Sequence, residues 1–168
     1  MRQVRLSAAI SIDGYIAGPN GESDWILMDP DIDFEELMGS FDTVLLGRKS
    51  YEAAGSGGGM PGMQAIVFSR SLRQEDAPGV TVSNDVLGTV SALKESPGRD
   101  IWLFGGGELF RSMLDLGLVD AIQLAVVPVL LGGGIPLLPA PAPKTSLTLV
   151  AQRLYPKTGT VLLDYELA

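Results

Sequence analysis

Two stretches of the chain share one layout: a short apolar run, a glycine turn, then a helical pattern. They are Val44–Tyr51 and Ile101–Leu116. This layout constrains the fold more than any other feature. An apolar run without alternation describes a strand buried on both faces, and a helix starting directly after it packs back onto the sheet. The same logic extends along the chain. Val4–Ile12 reads as a first buried strand, stopped by Asp13-Gly14. A loop rich in Gly, Pro, Asn and Asp runs to about residue 29, where Asp29 reads as an N-cap and Pro30 as the first helical residue. Phe34, Leu37, Met38 and Phe41 give that helix one apolar face. Thr43–Leu46 is a strand, followed by a short helix with Tyr51 and a flexible loop over Gly55–Gly62. Gln64–Phe68 and Val80–Val82 are further strands. Ser83 or Asn84 caps a helix with Val86, Leu87, Val90 and Leu93 on one face, ended by Pro97-Gly98. Ile101–Phe104 is a strand, Gly105–Gly107 a turn, and Glu108–Leu116 a helix with Leu109, Phe110, Met113 and Leu114 inward. Ala121–Leu130 is another strand, and Leu147–Tyr155 and Thr160–Leu167 flank the hairpin signal Pro156–Gly159. The expectation is one α/β domain over residues 1–168, a three-layer sandwich. Its central sheet is mostly parallel and closes with a C-terminal antiparallel hairpin.

Composition removes whole chemistries. The chain has no cysteine and no histidine. There is therefore no disulfide framework, thiol nucleophile, Ser-His-Asp triad or HExxH site, and no metal site is expected. Catalysis has to rest on carboxylates, hydroxyls, lysine, tyrosine or a bound cofactor. The net charge of -8 argues against nucleic acid as a partner. That charge is carried by residues 20–42, with eight acids and no base; the remaining twelve acids balance the twelve bases. Residues 47–73 lean basic, with Arg48, Lys49, Arg70 and Arg73 against Glu52. Residues 121–143 carry no charge, but five prolines and Gly132–Gly134 forbid a continuous membrane helix there. The apolar run after Arg5 is too short for a signal segment. A cytoplasmic protein without a membrane partner is expected.

In open α/β sheets, ligands bind outside the carboxyl ends of the strands. Three such ends favour anions. Gly105–Gly107 lets a phosphate approach backbone N–H groups at a helix start. Gly47, Arg48, Lys49 and Ser50 add two cations and a hydroxyl, and Ser69-Arg70 follows a third strand. A diphosphate plus one further phosphate accounts for all three, although a triple glycine alone is often only a tight turn.

Val4–Gly18, Asp42–Glu52, Pro61–Ser69 and Ile101–Leu109 together resemble the dihydrofolate reductase-like superfamily. The nearest branch is the stand-alone relatives of the riboflavin biosynthesis C-terminal reductase domain, whose later signature Gly117–Gly134 is similar to. The resemblance implies a dihydrofolate reductase-like fold, bound NADPH, and hydride transfer to a C=N bond of a pyrimidine- or pterin-like heterocycle. The substrate of the riboflavin pathway, 5-amino-6-(5-phosphoribosylamino)uracil, leads, with dihydrofolate as the alternative. Carried over, Ala9 and Ile16 would contact the nicotinamide. Gly47, Arg48, Lys49 and Ser50 would lie near the adenosine phosphates, and Ser69 and Arg70 would hold the 2′-phosphate. Gly105, Gly106 and Gly107, with Glu108 and Leu109 after them, would cradle the diphosphate. A cis peptide is expected at Gly105-Gly106. Glu108 suits a helix dipole but would repel a nearby phosphate.

On the substrate side, the resemblance implies Asp24, Trp25 and Phe34 over the ring, though Trp25 reads equally as a core or lid aromatic. A carboxylate in the acidic helix would bind the ring and favour its protonated form. Counting back from Gly47 selects Asp31, and helical phase selects Asp33, which is preferred. Both also fit first-turn acids, with Asp33–Glu36 resembling a capping box. Two departures bear on the substrate. Gln123-Leu124-Ala125 stands where folate enzymes tend to carry a threonine, and no Asp-Asn-Pro pattern follows Gly47-Arg48. A non-catalytic nucleotide-binding module, which binds NADPH without turnover, and an interaction protein without nucleotide binding are the alternatives of other classes. The apolar Leu131–Pro143 loop is expected either at a homodimer interface or packed on its own core.

Overall fold

A computed structural model describes residues 1–54 and 62–168. The loop expected over Gly55–Gly62 lies, Gly62 apart, outside the described residues. The elements are β1 (Val4–Ser11), β2 (Tyr15–Ala17), α1 (Phe34–Gly39), β3 (Phe41–Gly47), α2 (Arg48–Ala53), β4 (Gln64–Phe68), β5 (Thr81–Ser83), α3 (Val86–Glu95), β6 (Asp100–Gly105), α4 (Gly107–Asp115), β7 (Ala121–Val127), β8 (Ile135–Pro136), β9 (Leu147–Tyr155) and β10 (Thr160–Leu167). Eight strands form one sheet in the order β5-β4-β3-β6-β1-β7-β10-β9. The six from β5 to β7 are parallel, and β10 and β9 continue the sheet antiparallel, as a hairpin.

Strand alternation builds the two outer layers. Leu6, Leu45, Ile66, Ile101 and Leu103 point to one face, where Val90 of α3 and Leu109, Phe110 and Met113 of α4 bury against them. Val44, Leu46, Ala65, Val67 and Trp102 point to the other, with Tyr51 of α2 and Leu37 and Met38 of α1. This is the expected three-layer sandwich, and the C-terminal hairpin falls where its sequence signal lies. No helix among the described residues is long and apolar enough to cross a membrane.

Several boundaries differ from the sequence expectation. The first helix starts at Phe34 rather than Pro30, because Asp33 accepts the Glu36 N–H and is the N-cap. Asp29 is instead buried, and its carboxylate accepts the Asp31 N–H and the Thr158 hydroxyl at 2.6 Å. Phe41 opens β3 instead of ending the helix. Asp85, rather than Ser83 or Asn84, caps α3 by accepting the Gly88 N–H, and Leu87 is exposed on that helix. The strand expected over Ala121–Leu130 stops at Val127, before Pro128. Two segments expected as loops pair with each other as the ribbon β2–β8. Asp13 ties the same region together by accepting the N–H groups of Leu131 and Gly132. The Leu131–Pro143 loop thus packs in part on its own fold.

The amino end of the sheet is fastened by charge. Arg2, nearly buried, donates to the Asp42 carboxylate and, at 2.8 Å, to the Thr43 hydroxyl. Burial opposes the charge on Asp42. The Arg99 N–H, the Thr43 hydroxyl and the Arg2 guanidinium outweigh that burial and hold its carboxyl below the usual range.

Two outcomes test this construction. Gly134 has φ of +151°, and a Cβ there would collide with the Ala17 carbonyl oxygen. Gly134→Ala should destabilise the protein by about 1–3 kcal/mol and expose the β2–β8 amides to hydrogen exchange. The Thr158 hydroxyl, against the opposing effect of burial and with help from the Asp31 N–H, lowers the Asp29 pKa. A lowered carboxyl pKa adds stability that is complete above the ordinary carboxylate range and lost as pH falls through the depressed value. Thr158→Val should therefore be less stable than the parent at neutral pH, and urea melts of the two should converge as the medium becomes acid.

Candidate functional site

Two cavities open at the carboxyl edge of the sheet. The first, about 690 Å³, lies beyond β3, β4 and β6. Gly47, Arg48 and Lys49 line it from the start of α2, and Ser69 and Arg70 from the turn after β4. Gly106, Gly107, Glu108 and Leu109 line it from the start of α4. Nearly every residue expected around the cofactor phosphates is thus brought to one cavity. The free N–H groups at the start of α4 and the cations opposite them give it anion-binding character. Arg48 is already engaged, donating to Glu52 at 2.8 Å and to the Ser71 hydroxyl. Lys49 and Arg70 form no ion pair among the described residues. The Ser69 hydroxyl accepts the N–H groups of Ser71 and Leu72, which turns the chain and sets Arg70 at the rim.

The glycine turn is fixed by its surroundings. Gly105 has φ of +127°, a conformation that favours glycine, and the Gly105-Gly106 peptide is cis, as the resemblance implies. A Cβ on Gly107 would lie 3.0 Å from the Leu137 carbonyl oxygen and 2.8 Å from Pro139 Cδ. β8 and the segment after it therefore press on the turn and form one wall of the cavity, through Ile135, Pro136 and Pro139.

The second cavity, about 540 Å³, lies on the α1/α2 face of the sheet. Its floor is the small or flat side chains of four strands: Ser7 and Ala9, Trp102 and Phe104, Gln123 and Ala125, Thr160 and Leu162. Its roof is the acidic segment turned inside out. Ile26, Leu27, Met28, Ile32, Phe34 and Leu37 face the cavity, while Glu22, Asp24, Asp31, Asp33 and Glu35 are exposed. Ala9 and Ile16, expected beside the nicotinamide, both line it. Ser50 lines it as well, and its hydroxyl lies 3.5 Å from where a Cβ on Gly106 would stand. The two cavities therefore meet at Ser50 and Gly106.

The expected substrate residues separate. Phe34 lines the second cavity. Asp24 is exposed; Trp25 is half-buried and donates its indole N–H to the Glu22 carbonyl, while its neighbours Ser23 and Ile26 line the cavity. Neither acid expected to be catalytic lines it. Asp33 caps α1 and Asp31 pairs with Lys157 at 3.1 Å. Sequence reasoning missed Trp102, Phe104, Thr160 and Leu162. Their signal was the two-residue period of β6 and β10, which puts each pair on one face. Gln123, singled out only as a departure, is held at both ends. Its amide oxygen accepts the Ser7 hydroxyl at 3.1 Å, and its amide nitrogen donates to Asp164 at 2.7 Å.

Comparison with known proteins agrees with this architecture. The RibD C-terminal domain model matches residues 2–159. The uncharacterized protein YyaP of Bacillus subtilis (strain 168) is 35% identical over 180 residues, covering 98% of this chain and 94% of YyaP. Among solved structures, a putative riboflavin biosynthesis protein from Shewanella sp. PV-4 superposes with a TM-score of 0.83 at 22% identity, over 99% of both chains. Dihydrofolate reductase from Enterococcus faecalis, complexed with NADP(H) and RAB-propyl, gives a TM-score of 0.73 at 17% identity, over 98% of this chain and 96% of that one. The two structural likenesses establish a shared dihydrofolate reductase-like fold. With the family match across nearly the whole chain, they make this protein a member of the RibD C-terminal domain family.

Proposed function

We propose that this chain is an NADPH-dependent reductase that delivers hydride to a C=N bond of a pyrimidine- or pterin-like heterocycle. The observation that carries this reading is the junction of two unlike cavities at Ser50 and Gly106, one lined by cations and free N–H groups and the other by apolar side chains. A dinucleotide has the same two halves, and the lining fits it. Gly105–Gly107 and the start of α4 would receive the diphosphate, and Lys49 and Arg70 the remaining phosphate charge. Ala9 and Ile16 would flank the nicotinamide ring. When bound, the reduced nicotinamide would supply the hydride to carbon, with the balancing proton reaching nitrogen from solvent at the cavity mouth before the ring is covered. The residues of the second cavity hold the acceptor ring over Ala9, and Ile26, Leu27 and Met28 exclude water from it. No carboxylate lines this cavity among the described residues, and Asp31 and Asp33 are engaged elsewhere, by Lys157 and as the cap of α1.

The test is titration with NADPH and with NADH, followed by NADPH consumption with the riboflavin-pathway pyrimidine, with dihydrofolate and with an uncharged pterin. Turnover with a heterocycle of this class is expected. NADPH binding without consumption of any would point to the non-catalytic nucleotide module. Arg70→Ala should weaken NADPH about tenfold and leave NADH unchanged, as expected for one charge-assisted contact to the 2′-phosphate. A parent that prefers NADH would overturn the role of Arg70.

A further inference from the structure

We infer that the second cavity takes an uncharged, planar heterocycle and rejects a phosphate-bearing one. The inference rests on the reductase reading only in calling that ring the hydride acceptor. Three observations carry it. First, no charged side chain lines the cavity among the described residues. Residues 55–61, Gly-Ser-Gly-Gly-Gly-Met-Pro, contain no ionisable side chain that could add one. A phosphate dianion placed there would lose its water without gaining a cation. Second, the polar groups that do reach the cavity are neutral, and two of them are already satisfied inside the protein. Gln123 is committed to Ser7 and Asp164, and the Thr160 hydroxyl lies 2.9 Å from that of Thr158. Third, the segment that roofs the cavity has no base and carries its acids on the outside, apart from Asp29, which is buried against Thr158. The cation held against it from the C-terminal hairpin, Lys157, is paired with Asp31. An anion approaching the mouth meets like charge; a neutral ring does not.

Ring and charge are separated by a matched pair of probes: 2-(hydroxymethyl)quinoxaline, a neutral bicycle with C=N bonds, and its phosphate monoester. Calorimetric titration is run without cofactor and again with saturating NADPH. With NADPH filling the cationic cavity, the neutral compound should bind at least tenfold more tightly than the ester; without it, the ester's phosphate has the cationic cavity open to it. Raising the salt from about 0.05 M to about 0.5 M should strengthen binding of the ester alone, because it screens the repulsion. Leu27 lines the cavity and is 52% exposed, so a cation fits there without disturbing the core. Leu27→Lys should reduce the difference between the two probes to less than threefold. A ratio below tenfold in the parent with NADPH bound, or no binding of the neutral compound, overturns the proposal. The reductase reading fails separately: if NADPH does not bind while the neutral probe does, the cavity keeps its ligand class and loses its hydride donor.

Discussion

A parallel sheet has to be covered on both faces, and this protein covers one of them unevenly. On the α3/α4 face, two helices bury the large side chains of the central strands. On the other face, α1 and α2 sit over β3 and β4, while β1, β7 and β10 present Ser7, Ala9, Ala125 and Thr160. Those side chains are too small to meet a helix, so a hollow remains between sheet and roof. The roof has to be apolar beneath and polar above. A loop of 15 residues between β2 and Asp33 would otherwise be unusually long for a compact domain. Roofing that hollow accounts for its length, and for the concentration of acids among its outward-facing positions.

The two ends of the sheet divide the work. At the amino end, Arg2, Asp42, Thr43 and Arg99 form a closed set of charge-assisted bonds. A buried charge of this kind adds little net stability but is costly to leave unpaired, so it fixes the arrangement of the chain segments it joins. At the carboxyl end, Lys49 and Arg70 form no ion pair among the described residues, and the α4 N–H groups face an open cavity. Polar groups are satisfied internally at the amino end, where they hold the shape, and left open to the cavity at the carboxyl end.

Much of the architecture was legible because period-2 and period-3.6 patterns report burial directly. The strand–glycine–helix units located β3, β6, α2 and α4, and the C-terminal hairpin was delimited by its turn residues. The residues that line the cationic cavity were legible for the same reason: they follow strands in sequence, so their place at the sheet edge comes from topology. The helix starts were misplaced where several capping residues compete. Asp29, Asp31 and Asp33 all have the right chemistry, and tertiary bonds from the C-terminal hairpin, Thr158 to Asp29 and Lys157 to Asp31, leave Asp33 to cap α1. The apolar cavity was the least legible part. Its walls come from β1, β6, β7, β10 and the segment 23–38, and nothing local to any one of them signals the hollow they enclose.

The β2–β8 ribbon belongs to both cavities. Ile16 on one strand lines the apolar cavity, and Ile135 and Pro136 on the other line the cationic one, with Gly107 pressed beneath. Any ligand that shifted this ribbon on one side would reshape the pocket on the other. Linkage then requires that the two occupants alter each other's affinity by the same factor. A party wall of two short strands thus makes the order of filling a matter of kinetics, and the stability of the doubly filled protein a property of the pair.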